Sequence, residues 1–142
     1  MNRRLVLTSV LASLALGDAA IAQASGPIGA ADVVGEWSLL VTPAPDSENR
    51  ITFKGKDGNE RLNFPLRITA QPRGRLACVL DGESAECRIR NGDLIVVYSG
   101  GGVRLIYTLT DRARDGFRGS AAMRVRLLPV GGRIGDVRMV RR

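Results

Sequence analysis

The sequence predicts an all-β domain, an antiparallel up-and-down barrel of eight or nine strands, with a β-sandwich as the alternative. Three observations carry that prediction. From Glu36 onward the apolar residues recur with period two rather than the period of a helix. The alternating runs are short and regularly spaced, and brief turns rich in Gly, Asn, Asp and Pro join them.

Residues 1–24 stand apart from this pattern. Arg3 and Arg4 precede an apolar run from Leu5 to Leu16, and small residues close the segment at Ala22-Gln23-Ala24. These are the three zones of a secretory signal peptide, with cleavage expected after Ala24 and Ala22 as the competing site. The apolar core is too short for a permanent membrane helix, and no later stretch has the roughly 18 consecutive apolar residues that one requires. Residues 25–142 suffice for one domain and not for two. Within them, 25–34 is small, contains Gly26, Pro27 and Gly29, shows no apolar period and reads as a flexible leader; 35–142 reads as the domain.

The first strand enters at Gly35-Glu36-Trp37. Trp37, Leu39 and Val41 share a face until Pro43 and Pro45 end the run. Ile51 and Phe53 alternate with Arg50, Thr52 and Lys54, and the turn Lys56-Asp57-Gly58-Asn59 leads to the next strand. There Leu62, Phe64, Leu66 and Ile68 oppose Arg61, Asn63, Arg67 and Thr69. Pro65 lacks an N–H, which predicts an edge position or a bulge. Gln71-Pro72-Arg73-Gly74 closes the run.

Leu76–Leu80 and Ala85–Ile89 flank Asp81-Gly82-Glu83-Ser84. With Gly82 and Glu83 as a two-residue type II′ loop, Cys78 and Cys87 stand directly opposite as a non-hydrogen-bonded pair. At such a pair the Cα atoms lie about 4.5 Å apart, within reach of a disulfide. Two cysteines in an exported chain favour that bridge, which has a stabilising role and no redox role.

Asn91-Gly92 is a strong hairpin signal. Leu94-Ile95-Val96-Val97-Tyr98 is apolar on both faces, as in a strand covered twice or placed at an interface. Gly100-Gly101-Gly102 turns the chain, after which Val103, Leu105, Tyr107 and Leu109 face one side. Asp111 to Gly116 turns it again, and Phe117, Ala121, Met123, Val125 and Leu127 alternate with Arg118, Arg124 and Arg126. After Pro129-Val130-Gly131-Gly132, a short last strand holds Val137, Met139 and Val140. The expected lumen lining is Leu39, Phe53, Phe64, Leu66, Leu105, Tyr107, Phe117 and Met123, either as a filled core or as the wall of a cavity for a small apolar ligand.

Composition restricts the chemistry. The chain has no histidine, which removes the usual general base, the commonest metal ligand and every Ser-His or Cys-His mechanism. Asp57, Glu60, Asp81, Glu83, Asp93, Asp111, Asp115 and Asp136 sit beside turns, and turn chemistry accounts for them. No Cys/His/Asp cluster has metal-ligand spacing, and no helix or Lys-Ser/Thr pair follows the glycines at 100–102 as a phosphate loop requires. The expectation is a non-enzymatic protein without a cofactor.

The formal charge of +7, which falls by one without residues 1–24, comes almost entirely from arginine. Arg61, Arg67, Arg88, Arg90, Arg104, Arg118, Arg124, Arg126 and Arg138 alternate with apolar residues and so face outward as a basic wall. Arg88, Arg104, Arg124 and Arg126 are candidate contacts for an anionic envelope component. Nucleic acid is disfavoured, because Phe53, Phe64, Tyr107 and Phe117 lie on the apolar face and are not free to stack bases.

The Gly35-Glu36-Trp37 motif entering the first strand of an exported barrel, with Arg141 near the end of the last, resembles the calycin group: lipocalins, avidin-like proteins and small bacterial inhibitors of secreted metalloproteases. In lipocalins the tryptophan lies at the closed end of the barrel and an arginine of the last strand packs across it. The resemblance therefore implies Trp37 and Arg141 as a stabilising pair. The inhibitors carry a short N-terminal trunk that enters the protease cleft, and Ser25 to Val34 resembles it; their disulfide, however, links more distant segments than Cys78 and Cys87. The combined expectation is a periplasmic or secreted binding module for a small apolar ligand or an envelope component, with a protease inhibitor acting through the leader as the alternative. The residues specify no oligomeric state.

Overall fold

A computed structural model of the chain describes residues 26–45, 54, 57–129 and 131–142. Eight strands follow one another around a closed antiparallel barrel: β1 (Gly35–Pro43), β2 (Asn63–Ala70), β3 (Leu76–Leu80), β4 (Glu83–Arg90), β5 (Asp93–Gly100), β6 (Val103–Ala113), β7 (Gly116–Val125) and β8 (Gly131–Arg141). β8 returns to β1, with Trp37 opposite Arg141 and Val41 opposite Val137. The sheet closes on itself, so the sandwich alternative is excluded. The strand expected at Ile51 and Phe53 lies outside the described residues, and Phe53 with it; the adjacent Lys54 forms an isolated bridge to Glu60.

The two ends of the barrel differ. The start of β1 and the end of β8 meet at what we term the seam end. The turns Asp81-Gly82, Gly101-Gly102 and Arg126–Pro129 lie at the opposite mouth end. Alternation fills the interior between them: Trp37, Leu39, Phe64, Leu66, Ile68, Cys78, Leu80, Leu94, Val96, Tyr107, Leu109, Phe117, Val137 and Met139 form one buried cluster. Leu39, Leu66, Leu94, Val96, Leu109, Ala121 and Met139 expose no surface to water, so no water-sized void opens beside them. Around these residues the lumen is packed core.

Several local expectations are corrected. The β3–β4 loop is Asp81-Gly82, with φ positive at both residues (50° and 79°), the type I′ pattern and not II′. The register accordingly pairs Leu80 with Glu83 and Cys78 with Ala85. Cys78 and Cys87 are thus diagonal neighbours, with Cα atoms 6.0 Å apart, and the disulfide forms across that diagonal. The two-residue displacement leaves both cysteines on the inner face, because side-chain direction repeats every second residue.

Pro65 sits in the unbroken β1–β2 register opposite Ser38, and its carbonyl accepts the N–H of Asp81. In an antiparallel strand N and O of one residue point the same way. The missing N–H of Pro65 therefore faces the point where β3 has given way to its turn, and no bulge is needed. Gly131 and Gly132, expected in a turn, belong to β8, which is a long strand. Leu62 and Leu127, expected inside, are outside: Leu62 precedes β2, and β7 stops at Val125.

The leader is corrected as well. Residues 26–34 fold under the seam end, where α1 (Ala30–Val33) leads directly into β1. Ile28 and Val33 are buried members of the core, and the N–H of Ile28 donates to the carbonyl of Gly92.

Candidate functional site

Three places on the barrel bring together residues capable of recognition. At the seam end, Trp37 packs on Phe117 with ring centroids 5.7 Å apart. Arg141 lies over Trp37, its Cζ 4.2 Å from the ring centroid, and Arg112 lies over Phe117 at 5.8 Å. The structure thus brings Trp37 and Arg141 together. The indole Nε1 donates to the carbonyl of Val33 at 2.7 Å, which ties the ring to α1. A Cβ on Gly35 would lie 2.5 Å from Nη1 of Arg141, and Gly35 has φ +140°. Glycine in Gly-x-Trp is therefore favoured by the backbone conformation, and a larger residue would displace the guanidinium that crosses the tryptophan.

Arg112 is the clamp of the N-terminal segment. Its guanidinium donates to the carbonyls of Gly26 and Pro27 and pairs with Asp32 at 2.7 Å. The N–H of Gly29 also donates to Asp32, and this bond, with Arg112 second, holds the Asp32 carboxyl below its usual pKa. These contacts lay residues 26–34 across the barrel end.

At the mouth end the inner face is only half buried. Tyr98, Leu105 and Met123 pack against the core without being enclosed by it, and Ala85 and Cys87 do likewise on β4. The Tyr98 hydroxyl donates to Glu83, and that bond is the first cause that raises the phenol pKa above its usual value. This pair is the one polar feature that the described lining presents at the mouth. Deeper inside, Tyr107 is buried, which pushes its phenol pKa up strongly. Of the expected lining residues, Leu39, Leu66, Tyr107 and Phe117 belong to the packed interior, Phe64 is buried close to the β1–β2 connection, and Leu105 and Met123 remain at the mouth.

The third place is the outer wall of β6, β7 and β8. Arg104 stands directly opposite Arg124, and Arg118 directly opposite Arg138. Like charges in directly opposed positions destabilise a sheet. Arg138 is compensated by Asp115 at 2.8 Å, and Arg118 has Asp111 opposite it on β6; Arg104, Arg124 and Arg126 form no ion pair among the described residues. Arg112, Arg114, Asp115, Arg118 and Arg138 line an open cleft of about 580 Å³ beside the β6–β7 turn. Arg88 is exposed on β4 opposite Ile95 and belongs to neither group. The expected surface contacts Arg104, Arg124 and Arg126 do come together, at the mouth end.

Arg112 and Arg114 escape a reading by alternation, because the sequence pattern assigns residues 111–116 to a turn. In the structure β6 continues to Ala113 through a register shift between Leu109 and Asp111. Among the described residues no three His, Cys, Asp or Glu side chains converge as metal ligands, and no helix is long and apolar enough to cross a membrane. The arginines on the outward faces of β2, β4, β6, β7 and β8 are also incompatible with a lipid-facing barrel wall. Comparison of the chain with protein-family models, curated proteins and solved structures gave no match.

Proposed function

We propose that this chain is an exported, non-enzymatic binding barrel of calycin type that recognises an anionic envelope component through the outer wall of β6–β8. The observation that carries the reading is the cross-strand placement of arginine opposite arginine, Arg104 with Arg124 above all and Arg118 with Arg138 beside it. Acidic residues offset the seam-end part of this wall, where Asp111 stands opposite Arg118 and Asp115 pairs with Arg138, whereas at Arg104 and Arg124 cation stands beside cation without such an offset. A polyanionic ligand converts that repulsion into attraction. The calycin assignment rests on the closed eight-stranded meander, Gly35 and the stacking of Arg141 on Trp37.

Binding of the protein to immobilised heparin or lipopolysaccharide tests the reading. We expect retention that weakens steeply with salt, and that the Arg104→Gln/Arg124→Gln and Arg118→Gln/Arg138→Gln variants each weaken further. Absent or salt-independent binding would overturn it.

A second reading, a small apolar ligand at the mouth, is favoured by half-buried Leu105 and Met123 beside the Tyr98–Glu83 pair. Native mass spectrometry and thermal shift against lipid extracts test it; no bound species together with no shift would remove it. The inhibitor reading loses its support from the leader, because Ile28, Val33 and Asp32 hold residues 26–34 on the barrel rather than free for a protease cleft.

A further inference from the structure

We propose that the β7–β8 turn docks the barrel on an anionic lipid surface, with Leu127 and Leu128 entering the headgroup region and Arg126, Arg124 and Arg104 meeting the lipid phosphates. This rests on the preceding reading and names its partner as a bilayer surface and its contact as the mouth end. Leu127 is 98% exposed and Leu128 60% exposed, adjacent at the tip of one turn. A lone exposed leucine is ordinary on a soluble surface. Here two are consecutive, and Leu127 also has φ +68°, a left-handed conformation unusual for a leucine. Glycine or asparagine would suit that backbone better, so the position holds leucine at a local cost, and the exposure of two adjacent leucines to water is relieved where the tip meets an apolar phase.

The surroundings of the tip specify that phase. Arg126 precedes the leucines, and its N–H donates to the carbonyl of Gly102, pinning the tip beside the β5–β6 turn. Arg124 lies two residues earlier with Arg104 directly opposite, so the three guanidinium-bearing residues sit immediately behind the apolar tip. Leu62, another exposed apolar side chain, lies at the same end. An apolar tip with a basic collar complements an anionic membrane interface, where short-range apolar insertion adds to attraction by the headgroups. An acidic protein partner would satisfy the arginines but leave the exposed leucine pair without an account.

Vesicle co-sedimentation of the full chain tests the proposal, with phosphatidylglycerol-containing vesicles, pure phosphatidylcholine vesicles, and heparin as a soluble polyanion. Wild-type protein is expected on the anionic vesicles at low salt and not on phosphatidylcholine alone. Leu127→Ser/Leu128→Ser should lower vesicle partitioning by roughly tenfold or more and leave heparin binding unchanged. Arg104→Gln/Arg124→Gln/Arg126→Gln should lower both. Leu127→Gly separates docking from folding, since it should keep or raise thermal stability while weakening vesicle binding. If the leucine variants partition like wild type, or if heparin binds and vesicles do not, the docking inference fails and the polyanion reading stands. Loss of binding to every anionic probe removes both.

Discussion

Arg141 and Gly35 show how one motif is held together at the level of single residues. Replacing Arg141 by Gln removes the cation from the Trp37 face and should lower stability by about 0.5–2 kcal/mol, measured as a shift in the urea midpoint; Lys at this position should restore part of it. Gly35→Ala should cost about 1–3 kcal/mol, because it imposes a strained φ and drives the guanidinium off the indole; a midpoint equal to wild type would contradict this. Tyr107 supplies a pH test. Its folded pKa is raised by burial, so its stabilisation is complete below the unfolded value of about 10 and is lost as pH rises above it, when only the unfolded chain ionises readily. Tyr107→Phe should therefore flatten the alkaline decline in denaturant midpoint above pH 10. The side chains that face inward were legible from alternation alone, as Trp37, Leu39, Leu66 and Tyr107 illustrate. Leu127 was not, because alternation carries no mark for where a strand stops.

At the level of elements, the β3–β4 hairpin and the N-terminal segment are instructive in opposite ways. The disulfide is legible from cysteine spacing and an intervening turn, and so is the register, since Asp81-Gly82 is itself the type I′ signal; giving the turn to Gly82-Glu83 displaces the ladder by two. Since that displacement preserves facing, the bridge survives the error. Converting both cysteines to alanine closes no loop in the unfolded chain and should cost about 2–3 kcal/mol, readable in urea melts with and without reductant. The N-terminal segment reads as a leader in the sequence because a four-residue helix has too few positions to show a period; Ile28 and Val33 among small residues are the available signal. Ile28→Ala should cost about 2–4 kcal/mol. The lowered pKa of Asp32 stabilises the clamp above its ordinary value of 3.8 and is lost as pH falls through and below it, so acid should loosen this segment from Arg112. Asp32→Asn should remove that acid dependence, which hydrogen-exchange protection of the segment from about pH 5 down to about pH 2 would reveal.

For the molecule as a whole, charge and apolar surface are distributed unequally between the two ends. The seam end is covered by residues 26–34, aromatic rings and cations; the mouth end carries half-buried Tyr98, Leu105 and Met123, the exposed leucines and the arginines proposed to meet lipid. The barrel was legible because eight or nine periodic runs separated by short turns leave few other ways to bury one face of each. The grouping of arginines was not, since it depends on which strands become neighbours: Arg104 meets Arg124 and Arg118 meets Arg138 only through strand register. Closure has a kinetic consequence too. Every strand pair from β2–β3 onward joins neighbours along the chain, whereas β1 finds β8 across nearly the whole domain, Trp37 opposite Arg141. Contacts of such long separation carry the largest loop-closure entropy and form late. Trp37, as the sole tryptophan, therefore reports the final event of folding: after a denaturant jump its fluorescence should reach the native value later than the far-ultraviolet signal of the hairpins, and simultaneous recovery would show that the two chain ends meet at the start.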